Sequence, residues 1–206
     1  MYKSILAFVS ILAFSACQTP ADKLPFYGER IITSRADGTI DSVPPTIRDF
    51  SFINQDGQTI SQKDVAGKVY IADFFFTTCP TICPKVKKQM RRVYTQFENQ
   101  ADFVILSHSI DPKHDTVGRL AWYAEKLKIK APRWHLLTGD KGKIYAIAYD
   151  YLLSALEDST AEGGFDHSGA IALIDRNRNI RGLYDGLDEK KIDQMMLDIA
   201  KLLKEQ

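Results

Sequence analysis

Residues 68–76 read KVYIADFFF. This continuous apolar run predicts a central β-strand covered on both faces. A sheet buried on both faces needs helices against it, so the run points to an α/β architecture. It leads directly into Thr77-Thr78-Cys79-Pro80-Thr81-Ile82-Cys83-Pro84. Residues 80–98 then recur at helical spacing through Val86, Met90, Val93 and Phe97, with Lys85, Lys87, Lys88, Arg91 and Arg92 mostly elsewhere on the circumference.

The remaining chain alternates in the same manner. Residues 50–53 and 59–60 flank Asn54-Gln55-Asp56-Gly57, a hairpin signal. Residues 103–107 (FVILS), 134–137 and 170–174 predict further strands, and residues 180–184 a returning strand after a turn at residues 175–179. Helices are expected over residues 116–127, 142–153 and 190–204, with a polar loop at residues 157–164. The order is hairpin, strand, helix, strand, helix, strand, helix, hairpin, helix. It predicts a thioredoxin-like fold: a central mixed sheet flanked by helices, with an N-terminal β-hairpin.

Before the fold comes a different kind of segment. Residues 1–16 (MYKSILAFVSILAFSA) place one Lys before a short apolar run and small residues before Cys17. The run is shorter than the ~20 residues of a membrane span, and the layout is that of a secretory signal. Phe14-Ser15-Ala16-Cys17 resembles a bacterial lipobox, with Phe14 where Leu is usual. This identifies Cys17 as a lipidation site and resolves the odd count of three cysteines. Plain secretion with cleavage near Ala16 is the competing reading. Residues 17–45 contain Pro20, Pro25, Pro44 and Pro45 and read as a tether, with a short hairpin about Asp37-Gly38. The expected organisation is signal peptide 1–16, tether 17–45 and folded domain 46–206. The chain would be exported, anchored by lipid, and face the extracytoplasmic side. A formal net charge of +1 excludes a strong basic field, so nucleic-acid binding has no electrostatic support.

Cys79 and Cys83 then remain as a pair. Four residues apart at a helix start, they lie one turn apart on one face, where the helix N-terminus favours thiolate. Thiolates serve both redox chemistry and soft-metal binding. A structural disulfide is the plain alternative, but closing so small a loop gains little entropy. The end of a central strand is where α/β sheets place their active sites. The spacing also departs from the C-x-x-C of thioredoxin redox sites.

The string F-x-T-T-C-P-x-I-C-P resembles the Sco/SenC family of copper-binding, thioredoxin-like proteins. Residues 107–116 (SHSIDPKHDT) and 165–175 (FDHSGAIALID) resemble two further family segments, and the likeness runs from about residue 44 to the C-terminus. One departure is Thr81, where many members have Asp, which removes a carboxylate beside the thiols. The resemblance implies that His167 is a third metal ligand beside Cys79 and Cys83. On the same resemblance Asp166, next to it in the chain, would accept a hydrogen bond from its ring and orient it. Two thiolates and an imidazole suit Cu(I), and hold Cu(II) with one more ligand. Zinc is less favoured, since structural zinc sites close with a fourth protein ligand. His108 and His114 flank Asp111-Pro112 and read as surface or packing residues, and His135 as structural.

Two functions follow. The resemblance implies a monomeric metallochaperone that passes copper to a membrane client, the copper-bearing subunit of a cytochrome c oxidase or another cuproprotein. The alternative is a thiol-disulfide oxidoreductase, with Cys79 attacking and Cys83 resolving; a thiol peroxidase is a more distant version. An adaptor with a decayed site is opposed by the intact trio.

Overall fold

The computed structural model describes residues 23–35, 37–158 and 165–205. The signal peptide expected over residues 1–16 and the lipidation site Cys17 lie outside the described residues. The chain begins with a hairpin, β1 (Ile31–Ser34) and β2 (Ile40–Val43), which forms a two-stranded sheet of its own. A second hairpin, β3 (Ser51–Asn54) and β4 (Thr59–Ser61), turns at Gly57, whose φ of 73° suits a residue without a Cβ. The apolar run becomes β5 (Val69–Phe75), buried at every position. It is followed by α1 (Ile82–Phe97), β6 (Phe103–Ser109), α2 (Val117–Leu127), β7 (Trp134–Thr138) and α3 (Lys141–Asp150). A small hairpin, β8 (Ala155–Glu157) and β9 (Phe165–His167), precedes β10 (Ala170–Ile174), β11 (Ile180–Asp185) and α4 (Glu189–Lys204).

The main sheet has the order β11-β10-β5-β6-β7-β3-β4. Strands β5, β6 and β7 are parallel, and the flanking pairs are antiparallel. This is the mixed sheet expected, with β5 an interior strand between β10 and β6. Helices α1 and α4 lie together, joined by Gln89 Nε2 donating to Glu189 Oε1 at 3.0 Å and by the Arg92–Asp193 ion pair. Helix α1 starts at Ile82, two residues later than the periodicity suggests, because Pro80 and Thr81 remain outside it. The β8–β9 hairpin is an element that the sequence reading leaves as loop.

The tether region is partly packed. Tyr27 N–H donates to Ile180 O, Ile47 N–H to Arg178 O, and Arg181 to the carbonyls of Leu24 and Pro25. Ile47, just beyond it, belongs to the core.

Candidate metal centre

Strand β5 ends at Phe75, and the chain turns through residues 76–81 before entering α1. Among the described residues the other three helices have a side-chain N-cap: Thr116 for α2, Asp140 for α3 and Asp188 for α4. Helix α1 has Thr81 at that position with no side-chain bond. Its first turn is served by sulfur instead: Cys83 N–H donates to Cys79 Sγ across 3.4 Å. The two residues therefore meet across one turn, as their spacing predicts, and neither is in a disulfide.

Two details differ from the sequence reading. The pair is expected at an exposed strand end, yet Cys79 is 7 % and Cys83 3 % exposed. The helix start is expected to favour thiolate at both positions, yet burial pushes the Cys83 thiol well above the usual range. The neighbouring Cys79 thiol adds to this rise, while a backbone hydrogen bond from Phe76 and the Lys87 charge oppose it.

One turn below Cys83 lies a charged group that the sequence reading does not single out. Lys87 is 1 % exposed, and its Nζ donates to Asp73 Oδ2 at 2.6 Å and to Ser107 Oγ at 2.9 Å. Ser107 Oγ–H donates to Asp73 Oδ1, and Trp134 Nε1–H donates to Ser107 Oγ at 2.9 Å. The ammonium also sits 4.2 Å above the Phe75 ring. A buried charge is tolerable only when so paired. The signal was present: an aspartate inside a continuous apolar strand needs a cation, and the following helix supplies one.

The loop that carries Cys79 is tied from the other side by Asp115. Thr77 N–H donates to Asp115 Oδ2 at 3.0 Å, Thr77 Oγ1–H to Oδ1 at 2.5 Å, and Ser109 Oγ–H to Oδ2 at 2.6 Å. Arg119 Nε then donates to Thr77 Oγ1 at 2.9 Å. Asp115, rather than Asp111, is thus the residue of the SHSIDPKHDT segment that fixes the loop. Asp111 instead meets His114, with 2.7 Å between Oδ2 and Nδ1. Beside Thr77 and Thr78 opens a cleft of about 1000 Å³, bordered by Pro112, Lys113, Lys141 and Phe165.

His167 closes β9 and is paired in register with Ala155 of β8, so it ends a strand where a loop is expected. Asp166 precedes it in the same strand. The backbone beyond comes directly against α1. A Cβ on Gly169 would stand 3.2 Å from Val86 Cγ2 and 3.6 Å from Ile82 Cδ1, the residues on either side of Cys83 along the helix. Gly186 N–H donates to Gly169 O at 3.1 Å and holds this crossing in place. The other histidines are committed elsewhere. His108 is enclosed by rings, His135 Nδ1 lies 3.2 Å from Asn54 Nδ2, and His114 sits on Asp111.

Comparison with known proteins gives a consistent answer. The SCO1/SenC family model matches residues 39–204. A crystal structure of a SCO1/SenC family lipoprotein from Bacillus anthracis is 29 % identical, with a TM-score of 0.69, over 77 % of this chain and 95 % of its own. The structure of BsSco, a member of the Sco family of cytochrome c oxidase assembly proteins in which a disulfide switch was identified, is 26 % identical with a TM-score of 0.68, over 78 % and 95 %. The crystal structure of Arabidopsis thaliana ScoI with copper bound is 27 % identical with a TM-score of 0.63, over 76 % and 99 %.

Proposed function

The chain belongs to the SCO1/SenC family, and from that premise we propose that it carries copper as cargo on Cys79, Cys83 and His167 and acts in the assembly of a cytochrome c oxidase. The observation that carries the reading is the crossing of residues 167–170 over the start of α1. It brings the backbone after His167 against the two residues that bracket Cys83. Two sulfurs and an imidazole form a soft donor set suited to Cu(I). The copper-bound Arabidopsis structure supports the metal, and BsSco supports the assembly role. In this reading Cys83 N–H keeps its bond to the Cys79 sulfur when the metal binds, and Asp166 orients the imidazole. Transfer is ligand exchange: client thiolates displace those of this chain, and the proton that each thiolate takes up returns it to the thiol state. The client is the copper-bearing subunit of the oxidase. The main domain covers residues 46–206, preceded by a signal peptide over residues 1–16 and by residues 17–45, a linking region whose residues 24, 25, 27 and 45 bond to that domain.

The anchor is part of the proposal. Cys17 carries the lipid, and the chain works on the extracytoplasmic side of its membrane. The lipoprotein from B. anthracis supports this placement. Among the described residues no helix is long and apolar enough to cross a membrane.

The test is titration of the exported chain, carrying Cys17→Ser in place of the lipid site, with Cu(I) against a chromophoric competitor. One copper per chain is expected, with affinity at least about tenfold weaker in His167→Ala and lost in Cys83→Ser. Unchanged affinity in both variants would sink the proposal. A second reading, thiol-disulfide exchange through Cys79 and Cys83, is favoured by the contact between the two residues and by the disulfide switch of BsSco. Full reduction of a client disulfide by His167→Ala would select that reading.

A further inference from the structure

Among the described residues, eight of the twelve large exposed apolar side chains fall in two stretches of chain; Trp122, Leu156, Leu187 and Leu197 belong to other elements. Phe26, Tyr27, Ile31, Ile32, Ile40 and Val43 belong to the segment that runs into and through the β1–β2 hairpin, and all are exposed. Ile32 is 62 % and Ile40 72 % open, and among the described residues this hairpin pairs with no other strand. Its base, at Gly28, Glu29 and Pro45, shares a groove with Tyr149 and Leu152 near the end of α3, which are exposed as well, Tyr149 at 80 %. Two stretches of chain that expose apolar side chains thus adjoin at this groove, and within the hairpin Ile32 and Ile40 share one face while Ile31 and Val43 share the other. Patches of this kind mark an interaction surface, and aromatic rings are favoured where a protein meets the edge of a bilayer.

Its position says what covers it. Tyr27 and Ile47 bond to Ile180 and Arg178, at the turn between β10 and β11. That turn lies beside the first residues of β5, since Ile174 is opposite Tyr70. The thiols follow the last residue of β5, about 20 Å away along the strand. The patch and the metal centre therefore occupy opposite poles. The route to Cys17 leaves from the patch pole, because Leu24 and Pro25 are bonded to Arg181 of β11. Six residues lead from Cys17 to Lys23, a reach of at most about 20 Å.

We propose that this region, the Ile32/Ile40 face of the β1–β2 hairpin with the apolar residues about its base, rests on the lipid bilayer and turns the Cys79–Cys83 pole away from it. The inference rests on the lipid-anchored reading above. The contact is apolar rather than electrostatic, since residues 26–45 set Arg30 and Arg35 against Glu29, Asp37 and Asp41 and carry no excess of positive charge. An orientation of this kind keeps the thiols clear of the surface, where a membrane partner can present its own metal-binding domain.

The experiment uses the full lipidated chain on phosphatidylcholine vesicles, with trypsin as probe and mass spectrometry as readout. Cleavage after Arg35, in the hairpin, is expected to be at least about tenfold slower than in the soluble Cys17→Ser chain, while cleavage after Lys113, at the thiol pole, is unchanged. The double variant Ile32→Asp/Ile40→Asp is expected to restore cleavage while still sedimenting with vesicles. Tyr149→Glu, outside the hairpin, is expected to restore it in part and guards against a hairpin that merely unfolds. A sedimenting chain cut after Arg35 as fast as the soluble one overturns the proposal. So does protection that survives both variants, which would be shielding by the tether alone. A chain without a diacylglyceryl mass on Cys17 that fails to sediment overturns the anchor reading as well, a separate result. Protection in the soluble chain that rises with protein concentration would assign the patch to a second copy.

Discussion

His108 lies in β6, fully buried, with its ring 5.1 Å from Phe74, 5.3 Å from Phe52 and 5.7 Å from Tyr151. No side chain bonds to either ring nitrogen, and the Asp73 backbone beside the ring opposes the effect of burial only in part. Burial therefore pushes its pKa down to about 3, with the Lys87 charge adding to the fall. The unfolded chain binds this proton near pH 6.5, and the folded chain only near 3. Between these values the unfolded state holds the extra proton, so stability falls as pH falls through this window, by up to about 1.4 kcal/mol per pH unit. His108→Phe, which keeps the ring stack, is expected to flatten most of this slope; urea unfolding of both proteins at pH 7 and pH 4.5 measures it. An unchanged slope would show that His108 takes up its proton without unfolding. The sequence reading places His108 among surface or packing residues, and the structure decides for packing. Residue type alone could not, because His108 stands next to a loop whose other histidine, His114, is exposed. Lys87 misleads in the opposite way. On a helix rich in Lys and Arg it reads as one more solvated charge, and only the lone carboxylate of β5 discloses its partner.

At the scale of elements, the site is an arrangement of two loops and a helix start. The loop before α1 is shaped by Asp115, which accepts bonds from Thr77 and Ser109. Asp115→Ala would leave the Thr77 N–H and two hydroxyls without their acceptor, a loss of about 2–3 kcal/mol. The same change is expected to weaken Cu(I) binding about tenfold, because Cys79 sits two residues beyond Thr77. Asp111→Ala, which removes only the contact with exposed His114, is expected to leave both quantities close to wild type. Urea unfolding and the competitor titration read the two effects, and equal behaviour of the variants would remove Asp115 from the site. Much of this layer was legible in the chain. The β5 run and the periodicity of α1 are strong because burial on both faces and on one helical stripe leave different patterns. The β8–β9 hairpin was not legible. Each strand is only three residues long, too short for an alternation to register, and β9 is held by its partner rather than by its own composition. For this reason the pair Cys79 and Cys83 could be read from spacing, while the setting of His167 could not.

The molecule as a whole has two poles, with the thiols at one end of β5 and the chain entry at the other. The entry is more than a tether. Arg181 is buried and donates to Leu24 O at 2.7 Å and to Pro25 O at 3.2 Å, and its guanidinium stands 4.3 Å from the Phe26 ring centre. Its remaining acceptors are Asp175 at 3.0 Å and Glu205 at 3.3 Å, so the N-terminal segment, β11 and the end of α4 converge on a single cation. Asn179 Nδ2 donates to Pro45 O at 3.0 Å and closes the same region. A chain that begins at residue 46, the domain start expected from the proline-rich composition, loses both carbonyls, the ring and the Pro45 acceptor together. Each buried donor left unpaired costs about 1–3 kcal/mol, and water entering the opened region offsets part of it. Relative to a chain that begins at residue 23, the shorter one is expected to be about 3 kcal/mol less stable in urea, with Cu(I) affinity retained because the thiol pole is untouched. Arg181→Met in the longer chain removes the buried cation instead of its partners. It is expected to reduce the difference between the two lengths, since an apolar side chain asks nothing of residues 24 and 25. Equal stability of the two lengths in the wild-type background would return residues 23–45 to the role of a simple tether.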